Sequence, residues 1–230
     1  MKTARRRRSM SAAQRRIQEA AVQLFAEKGS TQVSMSELAQ AAGVARGTVH
    51  NNLESTDVFF RQIANDLATE MYDRITASCE GVTDPAHRLA LGVRFYVRRA
   101  HAEPHWGRFL LRFAMSEQSM QSLWMGQPTQ DLVDGHKSGK YDFRIDQLPS
   151  SVSFMASATL GAILLVLEGH RTWRDAGSDA VEFCLKSLGV PREEARRLAT
   201  MELPALLDAP ASTPRGGKPS AATARRKRGE

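Results

Sequence analysis

Three observations make this sequence an all-α protein. Apolar residues recur at helical rather than strand spacing along nearly the whole chain, and no run alternates apolar with polar residues for long enough to make a convincing sheet. Glycines and prolines fall where helices would end or begin. The apolar fraction, 42% of 230 residues, is ample for a buried core. About nine to ten helices are expected, three short ones near the N-terminus and the rest in a larger helical domain.

The first helix, expected over residues 12–28, places Ile17, Ala20, Ala21, Leu24 and Phe25 on a single stripe, and Gly29 stops it. Ser34-Met35-Ser36-Glu37 opens the second, because a serine hydroxyl satisfies free amides and the first-turn glutamate complements the helix dipole. Met35, Leu38, Ala39 and Ala42 keep the spacing, and Gly43 reverses the chain. A third helix over 46–53 buries Val49 and Leu53. The fourth, over 56–79, repeats Phe59, Ile63, Leu67, Met71 and Ile75 every four residues.

Asp84-Pro85 opens a fifth helix to about 102, and Pro104 stops it through its missing amide hydrogen. Residues 106–124 also read as helical, while Gly126, Pro128, Gly135 and Gly139 weaken any helix from there to Pro149. A central apolar helix is expected over 150–174, then helices over 179–188 and 191–207. From Ala209 the composition turns to Pro, Ser, Ala, Gly, Arg and Lys, which is too little apolar surface to offset the entropy of ordering. That tail is expected to be disordered.

The net charge of +7 is unevenly placed. Residues 1–56 carry nine Lys/Arg against four Asp/Glu, residues 209–230 carry six against one, and the middle carries 17 against 20. Only the ends are basic, so the ends are expected to meet a polyanion and the middle to do something else. Cys79 and Cys184 lie far apart and in no metal-spaced cluster, which fits a reducing cytoplasm. Met1 to Arg8 run straight into a polar helix with no apolar signal core. The longest apolar run, Phe154 to Leu167, spans 14 residues where a bilayer needs roughly 20, so it reads as a buried helix and no membrane partner is expected.

The informative stretch is Ser34 to Leu53: a short helix, a glycine turn, and a second short helix with a polar outer face. A helix of this width fits the major groove, where base edges present distinguishable donors and acceptors. Arg46, Thr48, His50, Asn51 and Asn52 can point outward while Val49 and Leu53 hold the helix down. Asparagine pairs with adenine and arginine with guanine through two hydrogen bonds each.

From about Arg15 to Phe59 the chain resembles the tetracycline-repressor (TetR) family of bacterial regulators. The likeness runs through Ala20-Ala21-Val22-Gln23-Leu24-Phe25-Ala26-Glu27-Lys28-Gly29, Ser34-Met35-Ser36-Glu37-Leu38-Ala39 and Ala42-Gly43-Val44-Ala45-Arg46-Gly47-Thr48-Val49. It implies that Ser34, Thr48 and the residues after it contact a double-stranded DNA operator, with Gly47 allowing close packing in the recognition helix. Four positions depart from the family's usual residues: His50 stands for Tyr, Asn52 for His, Leu53 for Phe and Thr56 for Lys. Ala45 replaces the expected Ser or Thr cap, a change that costs ~1 kcal/mol. Arg5, Arg6, Arg7 and Arg8 form an arm able to neutralise phosphates or enter the minor groove, offsetting the missing lysine. Arg225 to Arg228 could act likewise.

The expected organisation is a basic arm over 1–10, a helix-turn-helix domain over 11–56, an effector-binding and dimerisation domain over 57–208, and a basic tail over 209–230. His105, Trp106, Phe109, Arg112, Phe113, Met120 and Trp124 concentrate adaptable apolar side chains with polar neighbours, as a small-molecule pocket would. Core packing explains the same residues. Ala158, Gly161, Ala162, Leu165, Phe183 and Leu188 offer small or apolar surfaces for a second copy, and the resembling family dimerises through its last helices. Paired recognition helices about 34 Å apart would reach successive grooves of a palindrome.

The reading is therefore a homodimeric repressor released from its operator by an unidentified small molecule, with no cofactor, metal or catalytic residue. A non-specific nucleoid protein is the alternative. A helical metal enzyme has only the pair His101 and His105, four residues apart with Glu103 between them, in its favour, while Pro104 interrupts their helix and no third ligand is evident nearby. No nucleophile elbow, phosphate loop or dinucleotide fingerprint occurs.

Overall fold

A computed structural model of the chain describes residues 11–28, 33–52, 56–114 and 126–208. They form ten α-helices and no strand: α1 (Ala12–Lys28), α2 (Met35–Ala41), α3 (Arg46–Asn52), α4 (Thr56–Ser78), α5 (Pro85–Ala102), α6 (Pro104–Ala114), α7 (Gln127–Lys137), α8 (Leu148–Leu167), α9 (Trp173–Ser187) and α10 (Arg192–Thr200). A 3₁₀ turn, Ile145–Gln147, precedes α8. The all-α expectation holds.

Two apolar cores organise these helices. The first joins Ile17, Ala21 and Phe25 of α1, Leu38 of α2 and Val49 of α3, and it draws in Phe60, Ile63 and Ala64 of α4 and Phe109 and Phe113 of α6. Packing therefore runs through the division expected after residue 56. The second core is built on α5, with Leu89, Phe95 and Val97 against Ile163 of α8, Val181 and Leu185 of α9 and Leu198 of α10. Burial of this apolar surface is the main force holding each unit together.

Local signals set most boundaries. The Asp84 carboxylate accepts from the Ala86 amide at 2.9 Å and Pro85 occupies the first turn of α5. Pro104 ends α5 and starts α6, as its ring geometry allows. Three expectations need correction. Residues 127–137 are helical, with Pro128 tolerated in the first turn, where an amide donor is not needed. The helix expected over 150–174 breaks at Gly169, whose φ of +74° no helix interior accommodates, and Thr172 then caps α9 by accepting from the Asp175 amide at 3.1 Å. The last helix ends at Thr200 rather than Leu207.

Residues 201–208 instead run back over α4 and α5. Arg94 Nη1 donates to the Met201 carbonyl at 2.6 Å, Arg98 Nη1 to that of Pro204 at 3.0 Å and Arg74 Nε to that of Leu207 at 3.0 Å. These guanidinium–carbonyl contacts are charge-assisted and stronger than neutral hydrogen bonds, and they satisfy carbonyls that a helix would otherwise have used.

The apolar run expected to be a buried helix is buried on one side only. Met155, Ala156, Thr159, Leu160, Ala162 and Ile163 face the core, whereas Phe154, Ser157, Gly161, Leu164 and Leu165 are exposed on the opposite arc. The stretch 145–167 is long and apolar enough to cross a membrane by length and composition. Its inner arc packs against α5 and α9 of the second core.

Candidate DNA-reading face and effector cavity

The hairpin of α2 and α3 is fixed from inside. Leu38 and Val49 are fully buried, with Val33, Ala39 and Ala42 beside them. The Ser34 hydroxyl accepts from the Glu37 amide at 3.3 Å, and Glu37 Oε2 accepts from the Ser34 amide at 2.9 Å, a reciprocal cap. Glu37 Oε1 also takes a hydrogen bond from Lys28 Nζ at 2.7 Å, which fastens α2 to the end of α1. The Lys28 ammonium and the Ser34 donors hold the Glu37 carboxyl at about 2, well below its ordinary 4.5. Gly43, at φ +62°, makes the reversal into α3.

α3 begins without a side-chain cap: the Thr48 and Val49 amides donate to the Ala45 carbonyl at 2.9 and 3.4 Å. Arg46, Gly47 and Asn51 are exposed and Thr48 is half-buried. A side chain built on Gly47 would meet nothing within 4 Å. Among the described residues, packing within the chain places no demand for glycine there.

The second feature is a cavity of about 540 Å³ walled by α4, α5, α6, α7 and α8. Its wall is mostly apolar, with Leu89, Val93, Leu132, Met155 and Leu160 prominent. Asn65, Thr69 and Tyr72 of α4 and Gly126 are exposed to solvent and form its rim. On α5 the stripe Arg88, Gly92, Tyr96 faces the space, and a side chain at Gly92 would meet nothing within 4 Å. Asp131, 5% exposed, accepts from Arg88 Nε at 2.8 Å. Tyr96 lines the cavity, and burial pushes its phenol up to about 12.

Two helices reach from this cavity into the first core. α4 buries Phe60, Ile63 and Ala64 there and lines the cavity with Asn65, Ala68, Thr69, Tyr72 and Ile75. α6 turns Leu110 to the cavity and Phe109 and Phe113 to α1, where the Phe25 and Phe109 ring centroids are 5.0 Å apart. Arg99, 6% exposed, ties the helices together: Nη2 pairs with Glu70 of α4 at 3.2 Å and Nε with Glu103 at 3.3 Å, while the guanidinium lies 4.6 Å from the centroid of Trp106 in α6.

Comparison with known families identifies both parts. The family described as "Bacterial regulatory proteins, tetR family" matches residues 17–63, and "Tetracyclin repressor-like, C-terminal domain" matches residues 84–201, half of the chain. The chain belongs to the TetR family.

Solved structures share the fold of this TetR-family chain. RolR in complex with resorcinol is 22% identical over 85% of this chain and 96% of its own, with a TM-score of 0.67. A tetR-family regulator from Shewanella sp. PV-4 is 20% identical over 77% and 98%, TM-score 0.69. FadR from Bacillus subtilis in complex with stearoyl-CoA is 16% identical over 76% and 96%, TM-score 0.64. No curated protein sequence matches. The chain is thus a DNA-binding transcription regulator by family, with a helix-turn-helix unit followed by a helical C-terminal domain.

The expected site residues of this TetR-family regulator fall into three groups. Ser34, Arg46, Gly47, Thr48 and Asn51 come together on the α2–α3 hairpin, and His50 and Asn52 share α3, though their side chains lie outside the described residues, as do Arg5 to Arg8. None of the expected pocket residues that are described lines the cavity. Trp106, Phe109 and Phe113 are buried in the cores, because rings of that size contribute most where they are wholly covered. His105 and Arg112 are exposed, and Met120 and Trp124 lie outside the described residues. Of the residues expected to meet a second copy, Gly161, Leu165 and Phe183 are exposed and Ala158 is half-buried, but Ala162 and Leu188 face inward.

Arg88, Gly92, Tyr96 and Asp131 were missed. Their one sequence signal is a glycine in the middle of an amphipathic helix, flanked four residues either way by arginine and tyrosine. Among the described residues no group of three or more His, Cys, Asp or Glu side chains is placed to hold a metal ion.

Proposed function

We infer that this TetR-family regulator is a cytoplasmic homodimeric repressor that leaves a palindromic operator when a small molecule enters the cavity. The observation that carries this is the double engagement of α4, which fills the DNA-reading core with Phe60, Ile63 and Ala64 and walls the cavity from the next turn onward. A molecule that displaces the cavity side of α4 or α6 must shift the helices on which α1 to α3 rest, since a packed core passes displacement on.

Asn51 and Arg46 are the proposed base readers and Thr48 a phosphate contact, with His50 and Asn52 beside them on α3. Gly47 leaves the approach of the sugar-phosphate backbone unobstructed. The basic arm over 1–10 adds salt-dependent affinity. RolR and FadR, solved with resorcinol and stearoyl-CoA respectively, supply precedents for a ligand in this fold.

The second copy is proposed to sit on the outer arc of α8 and on α9. Phe154, Leu164, Leu165 and the 60%-exposed Phe183 make an apolar surface that a lone protomer would leave in water, and Gly161 among them permits close helix approach. Ligand need only favour the non-binding dimer by a few kcal/mol to empty the operator.

Selection of random duplex DNA by the full-length protein, followed by sequencing, tests this reading. A palindrome with half-sites one helical turn apart is expected. Recovery of unrelated sequences at equal affinity would instead establish the nucleoid-protein alternative.

A further inference from the structure

The charges in the cavity wall are already spent. Arg88 and Asp131 are the charged groups among its described lining residues. The Arg88 guanidinium gives Nε to Asp131 Oδ1 at 2.8 Å, Nη2 to the same oxygen at 2.7 Å, and Nη1 to the carbonyls of Val82 at 3.3 Å and Thr83 at 3.0 Å. Little of its donor capacity is left for a guest. A carboxylate or phosphate could recruit Arg88 only by taking it from an aspartate that has almost no contact with water, and a cation could reach Asp131 only beside the arginine that already holds it. Either exchange breaks into a buried ion pair, which is costly.

The opposite pole carries an uncharged, unused polar group, the Tyr96 hydroxyl, with the nearby Arg99 already paired to Glu70 and Glu103. Tyr96 follows Arg88 by eight residues on the same stripe of α5, roughly 12 Å along the helix at 1.5 Å per residue. Its ring packs on Trp106 with centroids 5.9 Å apart, and its hydroxyl makes no hydrogen bond within the described structure. The phenol stays protonated at neutral pH. The hydroxyls of Thr69 and Thr159 are already given to the carbonyls of Asn65 and Met155, at 2.7 and 2.8 Å. Between the poles Gly92 leaves the floor bare. An unpaired hydroxyl at the end of an apolar space is where a guest gains a hydrogen bond without displacing a protein partner.

We propose that the cavity takes an uncharged, mainly apolar molecule that lies along α5 over Gly92 and places a hydroxyl or carbonyl group against the Tyr96 hydroxyl. This assignment rests on the cavity being the effector site and adds the chemical class of the effector. It separates this regulator from any sensor of acyl carboxylates, nucleotides or organic cations.

Calorimetric titration of the full-length protein with 1-nonanol, nonanoate and nonylammonium at neutral pH tests it, because the three probes share one flexible apolar chain and differ in charge. Nonanol is expected to bind at least tenfold more tightly than either ion. Tyr96→Phe keeps the ring on Trp106 and is expected to weaken nonanol by about three- to tenfold, the worth of one hydrogen bond. Gly92→Leu fills the floor and is expected to abolish nonanol binding while the helical circular dichroism is retained. Nonanoate or nonylammonium binding as tightly as nonanol, with loss in Gly92→Leu, would overturn the uncharged class and leave the effector cavity standing. Failure of all three probes to bind would overturn both. Nonanol binding unchanged in Gly92→Leu and Tyr96→Phe would place the ligand elsewhere and overturn the assignment.

Discussion

The two cores of this regulator treat space in opposite ways. The DNA-reading core is filled: Leu38 and Val49 are fully covered, Phe25 lies 4.7 Å from Phe60 between ring centroids, and the proposed base readers Arg46 and Asn51 are outside. The C-terminal domain is hollow, and its proposed function lies inside, against Gly92 and Tyr96. A filled core holds an outer surface rigid enough to read base edges, while a hollow one keeps apolar wall exposed that only a guest can cover. Linking them are α4 and α6, each with one face in the solid part and one in the empty part.

Truncation should break the comparison most clearly in the filled core. Leu38→Ala leaves a void at a fully buried position and is expected to cost about 3 kcal/mol, read by urea denaturation. Asn51→Ala removes an exposed side chain, so stability should hold while operator affinity falls by about 1–3 kcal/mol in fluorescence anisotropy. The opposite sign is expected in the hollow domain. Gly92→Ala adds a methyl where no atom lies within 4 Å and should raise stability by about 0.5–1 kcal/mol, because alanine loses less backbone entropy in a helix than glycine.

The smallest effect is one of pH. The Glu37 carboxyl has a folded-state value of about 2 against 4.5 when free, so its contribution is present above 4.5 and is lost as pH falls toward 2. Circular dichroism should show the helix-turn-helix unit fraying across that window. Glu37→Gln should lack this dependence.

The same contrast explains which parts of the molecule could be read in advance. The reader is a local device: the Ser34–Glu37 cap, the Gly43 turn and the Val49 anchor lie within sixteen residues and carry their geometry in their spacing. The cavity is assembled from five helices whose lining residues span positions 65 to 160, and no window of sequence shows that Tyr96 and Asp131 share one space. The aromatic mass of Trp106, Phe109 and Phe113 pointed to a pocket and instead serves packing, since hydrophobicity alone does not tell a wall from a core. Helix length misled in a related way at α8, where spacing ran on to Arg174 because a glycine at positive φ leaves no mark on periodicity.

The central claim is that two copies of α3 are held one turn of DNA apart and that the cavity controls this spacing. Electron-electron dipolar spectroscopy on Ala45→Cys, spin-labelled beside α3, measures it directly, because Ala45 is exposed while native Cys79 and Cys184 are buried and escape labelling. With the selected operator bound, a single narrow distance of roughly 35 Å is expected, and it should shift and broaden when 1-nonanol is added. Absence of any dipolar coupling between protomers, or a distance that neither operator nor nonanol alters, would contradict the account.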